Sequence, residues 1–249
     1  MQDKSPVVLV TGAARRIGAC IARTFHQNGY RVLVHCNQSV ADAQQLVYEL
    51  NQNRANSTIV LTADLNDDQQ TLQLAKEAVA AFGQINVLVN NASRFYPTPV
   101  GNIGTEQWHD LMASNALAPL LLSQALADEL RNQRGSIVNL TDMNAERGMK
   151  NFVPYTMAKA ALQAMTRSLA RELAPEVRVN SVSPGAILWP DHASDPVEHA
   201  DKQAAILAGI PLGRLGTMQD IADAVFFLAH SAHYVTGQTI NVDGGRILS

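Results

Sequence analysis

Pro6-Val-Val-Leu-Val-Thr11-Gly12-Ala13-Ala14-Arg15-Arg16-Ile17-Gly18 decides how the rest of the chain is read. Its first half is a short, continuous apolar run rich in β-branched residues, as expected of a strand covered on both faces. Its second half is a turn of small residues opening into a helical pattern over about Arg15–Asn28. Small side chains let an anion approach the backbone there, and the helix N-terminus offers it free N–H groups. A strand, a glycine-rich turn and a helix in that order read as a pyrophosphate-binding turn of a dinucleotide site. Taken alone, the stretch also fits a tight turn with no ligand.

Outward from this unit the same alternation repeats. Strand-like runs fall at Arg31–His35, Ser57–Thr62, Ile85–Val89, Ser136–Thr141, Val177–Val182 and Gln238–Val242. Helical patterns separate them at Ser39–Asn53, Asp67–Phe82, Thr105–Asn132, from Tyr155 to about Leu173, and Met218–His230. Continuous apolar strands joined by helices predict an α/β fold, a parallel sheet with helices on both faces. No linker or composition break divides the chain, so residues 1–249 are expected to form one domain. Ile187–Gly209, rich in Pro, Asp and His, is long for a plain connection and reads as a substrate lid.

Of 249 residues, 47% are hydrophobic, enough for a sizeable core and against disorder. A net charge of -3 gives no electrostatic footprint for nucleic acid. Cys20 and Cys36 belong to no CxxC or Cys/His cluster and read as free thiols in a reducing compartment. The start of the chain lacks the apolar core of a signal peptide, and no apolar run approaches the roughly 18 residues of a spanning helix. A soluble, cytoplasmic protein without membrane contact is expected. The histidines are scattered without ligand spacing, so no metal is expected.

Chemistry concentrates around Asp142 and Tyr155-Thr-Met-Ala-Lys159. Tyr155 and Lys159 are four apart, on one face of a helix. A phenol titrates near ~10, and a lysine ammonium held close favours the phenolate, so Lys159 is expected to make Tyr155 a proton donor near neutral pH. Asp142, at the end of the Ser136–Thr141 strand, reaches the same pocket. At the other end of the cleft, Arg15 and Arg16 add positive charge to the glycine turn. His35-Cys36-Asn37-Gln38-Ser39 offers no acid for an adenosine ribose, and Asp42 lies too far beyond the strand. These features favour a 2′-phosphate and hence NADPH, with Arg15 carrying much of that recognition alongside Asn37 and Ser39. Asp64, followed by Leu65, is placed to accept from an adenine amino group or else to cap the next helix.

Thr11–Gly18, Asn90-Asn91-Ala92, Asn115, Tyr155-x-x-x-Lys159, Pro184-Gly185 and Asn241-Val-Asp-Gly-Gly245 together resemble the short-chain dehydrogenase/reductase family over essentially the whole chain. The resemblance implies a doubly wound, seven-stranded Rossmann sheet of order 3-2-1-4-5-6-7 and nicotinamide-dependent hydride transfer. It implies cofactor contacts at Gly12, Arg16, Ile17, Gly18, Asn91, Ala92, Ser93, Tyr155, Lys159, Pro184 and Gly185. Asn115 would sustain a proton relay to Lys159, with Tyr155 as the acid. It also implies a homotetramer.

One position departs from that family: a serine is usual thirteen residues before the tyrosine, and here stands Asp142. A serine hydroxyl donates to a ketone oxygen as it becomes an alkoxide, whereas an ionised aspartate only accepts. Thr141 points to the opposite face of its strand and is a poor substitute. Like charges at ~4 Å cost on the order of 4 kcal/mol at an effective dielectric near 20, which disfavours ketone reduction. A carbon–nitrogen double bond, whose nitrogen gains a proton as hydride reaches carbon, suits a carboxyl paired with the tyrosine.

Arg16 in place of glycine, Asn91-Ala-Ser93-Arg-Phe95-Tyr-Pro-Thr-Pro99, Asp142 and Tyr155-Thr-Met-Ala-Lys159 are similar to the pteridine reductases, which use NADPH to reduce pterins and often folates. In that likeness the pterin lies between the nicotinamide and the ring of Phe95, Ser93 bonds both ligands, and Arg16 reaches pterin and phosphates. Asp142, Glu146-Arg147-Gly148 and Asp243-Gly-Gly-Arg246 fit dihydromonapterin reductases equally. A ketone or 3-oxoacyl reductase, with Asp142 incidental, and a cofactor-sensing protein without turnover are the remaining alternatives.

Overall fold

The computed structural model of the protein describes residues 5–187 and 203–249. Seven strands form one sheet: β1 (Val7–Val10), β2 (Arg31–Cys36), β3 (Thr58–Thr62), β4 (Val87–Asn90), β5 (Ser136–Leu140), β6 (Arg178–Pro184) and β7 (Thr239–Val242). Their order is 3-2-1-4-5-6-7 and every pairing is parallel, the doubly wound Rossmann arrangement that the motifs imply. Alternation along β1 explains why two helical layers are needed. Val8 and Val10 face one buried cluster, whereas Val7 and Leu9 face the other. Helices α1 (Arg16–Gln27) and Met218–Phe226 cover the first, and α3 (Asp68–Phe82) lies in the second.

The strand order reverses between β1 and β4, so the loops after these strands diverge and leave a crevice at their C-terminal ends. A buried polar chain fixes the wall of that crevice. Asn90 donates to Asn139 at 2.8 Å, Asn139 to Thr166 at 2.9 Å, and Thr166 to the Leu162 carbonyl at 2.9 Å. It ties β4 and β5 to α7 (Val153–Glu172), which carries Tyr155 and Lys159.

Two expectations change. Thr105–Asn132 is not one helix but α4 (Thr105–Met112), a π-helical turn Ala113–Leu117, α5 (Ala118–Ala125) and α6 (Ala127–Asn132). In an unbroken helix the donor to the Asn115 carbonyl would be Pro119, which has no N–H, and the backbone widens there instead. The Met218–His230 pattern likewise ends in a π turn, Phe227–Ser231, whose carbonyls are capped by the Arg178 guanidinium. The expected lid at 187–209 lies mostly outside the described residues. Of it, Ile187 and residues 203–209 are described, with 203–208 helical.

Candidate active site

The glycine turn is built by contacts to the loop after β4. Asn91 donates its amide to the Thr11 and Gly12 carbonyls at 2.8 and 3.1 Å. The Thr11 hydroxyl accepts from the backbone N–H groups of Asn91 and Ala92. A side chain at Gly18 would lie 2.2 Å from the Gly12 carbonyl oxygen, and one at Gly12, whose φ is +62°, 2.9 Å from the Ala92 backbone. Arg16 takes the left-handed φ of 52° itself, the conformation for which glycine is usual. From beneath, the buried His35 ring accepts from the Gly12 N–H through Nδ1 at 3.1 Å, and its Nε2 lies 3.2 Å from the Ala63 carbonyl. Burial lowers its pKa to about 4, so the ring is neutral, with Nε2 donating and Nδ1 accepting.

Helix α1 starts with no side-chain cap and no acidic residue in its first turn. Its terminal N–H groups and dipole therefore stand toward a cavity lined by Gly12, Arg15, Arg16, Ile17, Gly18, Asn37, Asp64, Leu65, Asn91, Ala92, Ser93 and Arg94. This uncapped cradle, bare of side chains at Gly12 and Gly18, fits a pyrophosphate. The neighbouring hollow under Asn37, Gln38 and Ser39 is shared with Arg15 and Arg94. Arg15 pairs at 2.6 Å with Asp42, which was expected to lie out of reach; the first turn of α2 (Val40–Asn53) brings it back to the rim. Both groups are well exposed, so the pair is weak and open to competition by phosphate.

Asp64 does not cap the following helix. Asp67 does, accepting from Gln69 and Gln70. Asp64 accepts from the Asn66 N–H and lies 3.7 Å from Arg94, which also pairs with Asp110 at 2.5 Å. Sequence reasoning missed Arg94, although it stands between Ser93 and Phe95. It also missed His35, whose position at the end of β2 under the turn was the available signal.

A second cavity of about 390 Å3 adjoins the first through Ile17, Asn91 and Ser93 and holds Phe95, Asp142, Tyr155, Lys159, Pro184, Gly185 and Arg246. Arg16 lines the phosphate cavity and not this one. The structure thus brings Asp142, Tyr155 and Lys159 together. The Tyr155 hydroxyl donates to Asp142 Oδ2 at 2.8 Å, and Asp142 Oδ1 accepts from the Asn144 N–H at 2.7 Å. Lys159, 3% exposed, donates to the Leu140 carbonyl at 2.9 Å. Thr141 spends its hydroxyl on the Val182 carbonyl.

The expectation that Lys159 lowers the Tyr155 pKa is overturned. Burial and then the charge of Asp142 raise it well above the ordinary phenol range, because the phenol's partner is a carboxylate that opposes a phenolate. Lys159 is pushed down to about 8 by burial, partly offset by Asp142. Asn115 is fully buried and makes no bond to Lys159 among the described residues. Its Oδ1 accepts from Ser93 at 2.7 Å, and its amide donates to the Arg94 and Leu111 carbonyls. Ser93 and Asn115 thus hold the loop that carries Phe95.

The Phe95 ring stacks on Phe152 at 4.5 Å and meets the Tyr155 ring edge-on at 4.8 Å. A bridge between Thr98 and Phe152 fastens this loop to the start of α7. Phe152, absent from the sequence-based site, supports one face of Phe95. Phe95 remains 53% exposed, an apolar platform beside the tyrosine.

A doubly wound sheet, an uncapped glycine cradle at its switch point and a tyrosine–lysine pair beside it define the Rossmann-type oxidoreductases that use a nicotinamide dinucleotide. The family model described as "Enoyl-(Acyl carrier protein) reductase" matches residues 12–246. The chain belongs to the short-chain dehydrogenase/reductase family and is an oxidoreductase of that family. It is 38% identical to pteridine reductase 1 of Leishmania tarentolae, across 98% of this chain and 97% of that protein. It is 35% identical to the 3-oxoacyl-(acyl-carrier-protein) reductase FabG of Staphylococcus aureus, across 96% and 97%. An uncharacterized oxidoreductase of Methylorubrum extorquens is also 35% identical, across 96% of both chains. Among the described residues, no helix is long and apolar enough to cross a membrane.

Proposed function

We propose that the protein is an NADPH-dependent pteridine reductase that reduces pterins to their dihydro and tetrahydro forms. The observation that carries this reading is the 2.8 Å bond from the Tyr155 hydroxyl to Asp142. A carboxylate beside the proton donor opposes an alkoxide but suits a ring nitrogen that must be protonated. Phe95, backed by Phe152, offers a face for a flat heteroaromatic ring. The likeness to a pteridine reductase supports the same substrate class.

In this reading Gly12, Gly18, Asn91 and Ala92 shape the cradle for the pyrophosphate. Arg15, with Asn37 and Ser39, receives the 2′-phosphate by displacing Asp42. Leu65 and Asp64 flank the adenine. Lys159 holds the nicotinamide ribose, and Pro184 and Gly185 border the ring. When bound, the cofactor supplies the hydride. Tyr155 delivers its proton to the substrate nitrogen as a replacement proton reaches the phenol oxygen, so that no free phenolate forms beside the Asp142 carboxylate. That carboxylate holds the phenol in line, and the Lys159 cation supports the replacement. Asn115, through Ser93, keeps the Phe95 loop in register with the tyrosine. A homotetramer belongs to the same proposal, and the exposed Leu117, Leu120 and Met157 are apolar surface that such an assembly would cover.

The purified protein should oxidise NADPH with biopterin or dihydrobiopterin and not with simple ketones. Strong ketone turnover without pterin turnover would defeat this reading and favour the 3-oxoacyl alternative. Tyr155→Phe should remove most activity while leaving the circular dichroism spectrum unchanged.

A further inference from the structure

Among the described residues, three charged side chains line the cavity around Tyr155: Asp142, Lys159 and Arg246. The first two are committed, Asp142 to Tyr155 and the Asn144 N–H, and Lys159 to the Leu140 carbonyl. The Arg246 guanidinium has no hydrogen-bond or ion-pair partner among the described residues, although the residue is only partly exposed.

Its backbone is nonetheless held firmly. Gly244 and Gly245 turn the chain with φ of 65° and 86°, and Arg246 opens a 3-10 turn over Arg246–Leu248. The buried Asp243 carboxylate accepts from the Gly245 N–H at 2.9 Å and the Ile247 N–H at 2.7 Å, on either side of Arg246. Arg147 donates to the Arg246 carbonyl at 2.9 Å. That contact sets a second guanidinium against the Arg246 backbone, and Arg147 has no carboxylate partner among the described residues. Asp243 turns both its oxygens to backbone, so it neutralises neither arginine through a side-chain bond. A fixed turn that aims an unmatched cation into a cavity is built for an anionic group, and a planar guanidinium fork matches a carboxylate.

We propose that Arg246 is a specificity-determining residue that binds a carboxylate on the substituent of the substrate, so that pterins with an acidic tail, as in folates, are preferred over those with a neutral hydroxyalkyl tail. This rests on the proposed pterin reduction for the identity of the ring, but the carboxylate site stands on the cavity alone.

The test compares dihydrofolate with dihydrobiopterin, each with NADPH, in wild type, Arg246→Gln and Arg246→Lys. A lost charge-assisted hydrogen bond predicts that Arg246→Gln lowers the dihydrofolate-to-dihydrobiopterin ratio of kcat/KM by roughly ten- to a hundredfold. The loss should fall on the dihydrofolate KM. Arg246→Lys, which keeps the charge without the fork, should recover part of the ratio. An unchanged ratio, or equal losses on both substrates, overturns the proposal and leaves the pterin reading standing. If neither pterin is turned over, that reading fails by itself, and calorimetry with p-aminobenzoylglutamate decides this one. Binding to wild type that disappears in Arg246→Gln supports the site, and no binding, or equal binding to both, overturns it.

Discussion

Replacing Asp142 by asparagine or serine should exchange one substrate class for another. Asp142 Oδ2 is one hydrogen bond, 2.8 Å, from the Tyr155 hydroxyl. A substrate atom that takes the tyrosine proton therefore comes within about 4 Å of the carboxylate. An oxyanion at that distance costs on the order of 4 kcal/mol at an effective dielectric near 20. Asp142 is only partly buried, so solvent screening takes that to about 2–4 kcal/mol, or roughly 30- to 1000-fold in rate. Asp142→Asn removes the charge and keeps one acceptor oxygen, which serves the Asn144 N–H and preserves the local turn, while its amide N–H2 turns toward the tyrosine oxygen as a donor. Asp142→Ser adds a donor in the place that the family usually gives to serine. We expect kcat/KM for a short 3-oxoacyl ester to rise by tens-fold or more in Asp142→Ser. For dihydrobiopterin we expect a fall of roughly ten- to a hundredfold, the value of a charge-assisted hydrogen bond. Steady-state NADPH oxidation with both substrates measures each arm. Movement of the two substrates in the same direction, or a flat pterin rate in Asp142→Asn, would refute the electrostatic reasoning.

Three further outcomes follow from the geometry. Lys159 loses its cation above about pH 8, so kcat should fall with a limb near that value; a flat profile to pH 9.5 would remove Lys159 from the proton path. His35 has a folded pKa near 4 against 6.5, so unfolding takes up a proton between these values and stability falls as pH drops through that window. Denaturant titrations at roughly pH 7 and 4.5 should show wild type losing on the order of 2–3 kcal/mol more than His35→Gln, and equal losses would contradict this. Gly18→Ala sets a methyl 2.2 Å from the Gly12 carbonyl oxygen, so the turn must open. NADPH affinity should fall more than tenfold by fluorescence titration, and wild-type affinity would show that the cradle tolerates the shift.

The strands were legible because each is buried on both faces, which leaves a continuous apolar run such as Val7–Val10 or Val87–Val89. The break at Asn115 was harder to read. Apolar periodicity carries straight through Thr105–Asn132, and Pro119 is a signal that acts on a carbonyl four residues earlier. Asp142 and Tyr155 were legible as a pair because strand end and helix start converge at the C-terminal ends of a parallel sheet's strands. Their mutual effect was not, since it depends on which of Asp142 and Lys159 the phenol touches. Arg94, Phe152 and Arg246 come from three separated segments, and only packing shows that they reach the cleft.

Product analysis with NADPH deuterated at the transferred position follows the hydride itself. Incubated with dihydrobiopterin, the protein should yield tetrahydrobiopterin carrying one deuterium by mass spectrometry, and Tyr155→Phe should yield essentially none. Recovery of unlabelled dihydrobiopterin together with a deuterated alcohol from a 3-oxoacyl ester would contradict it.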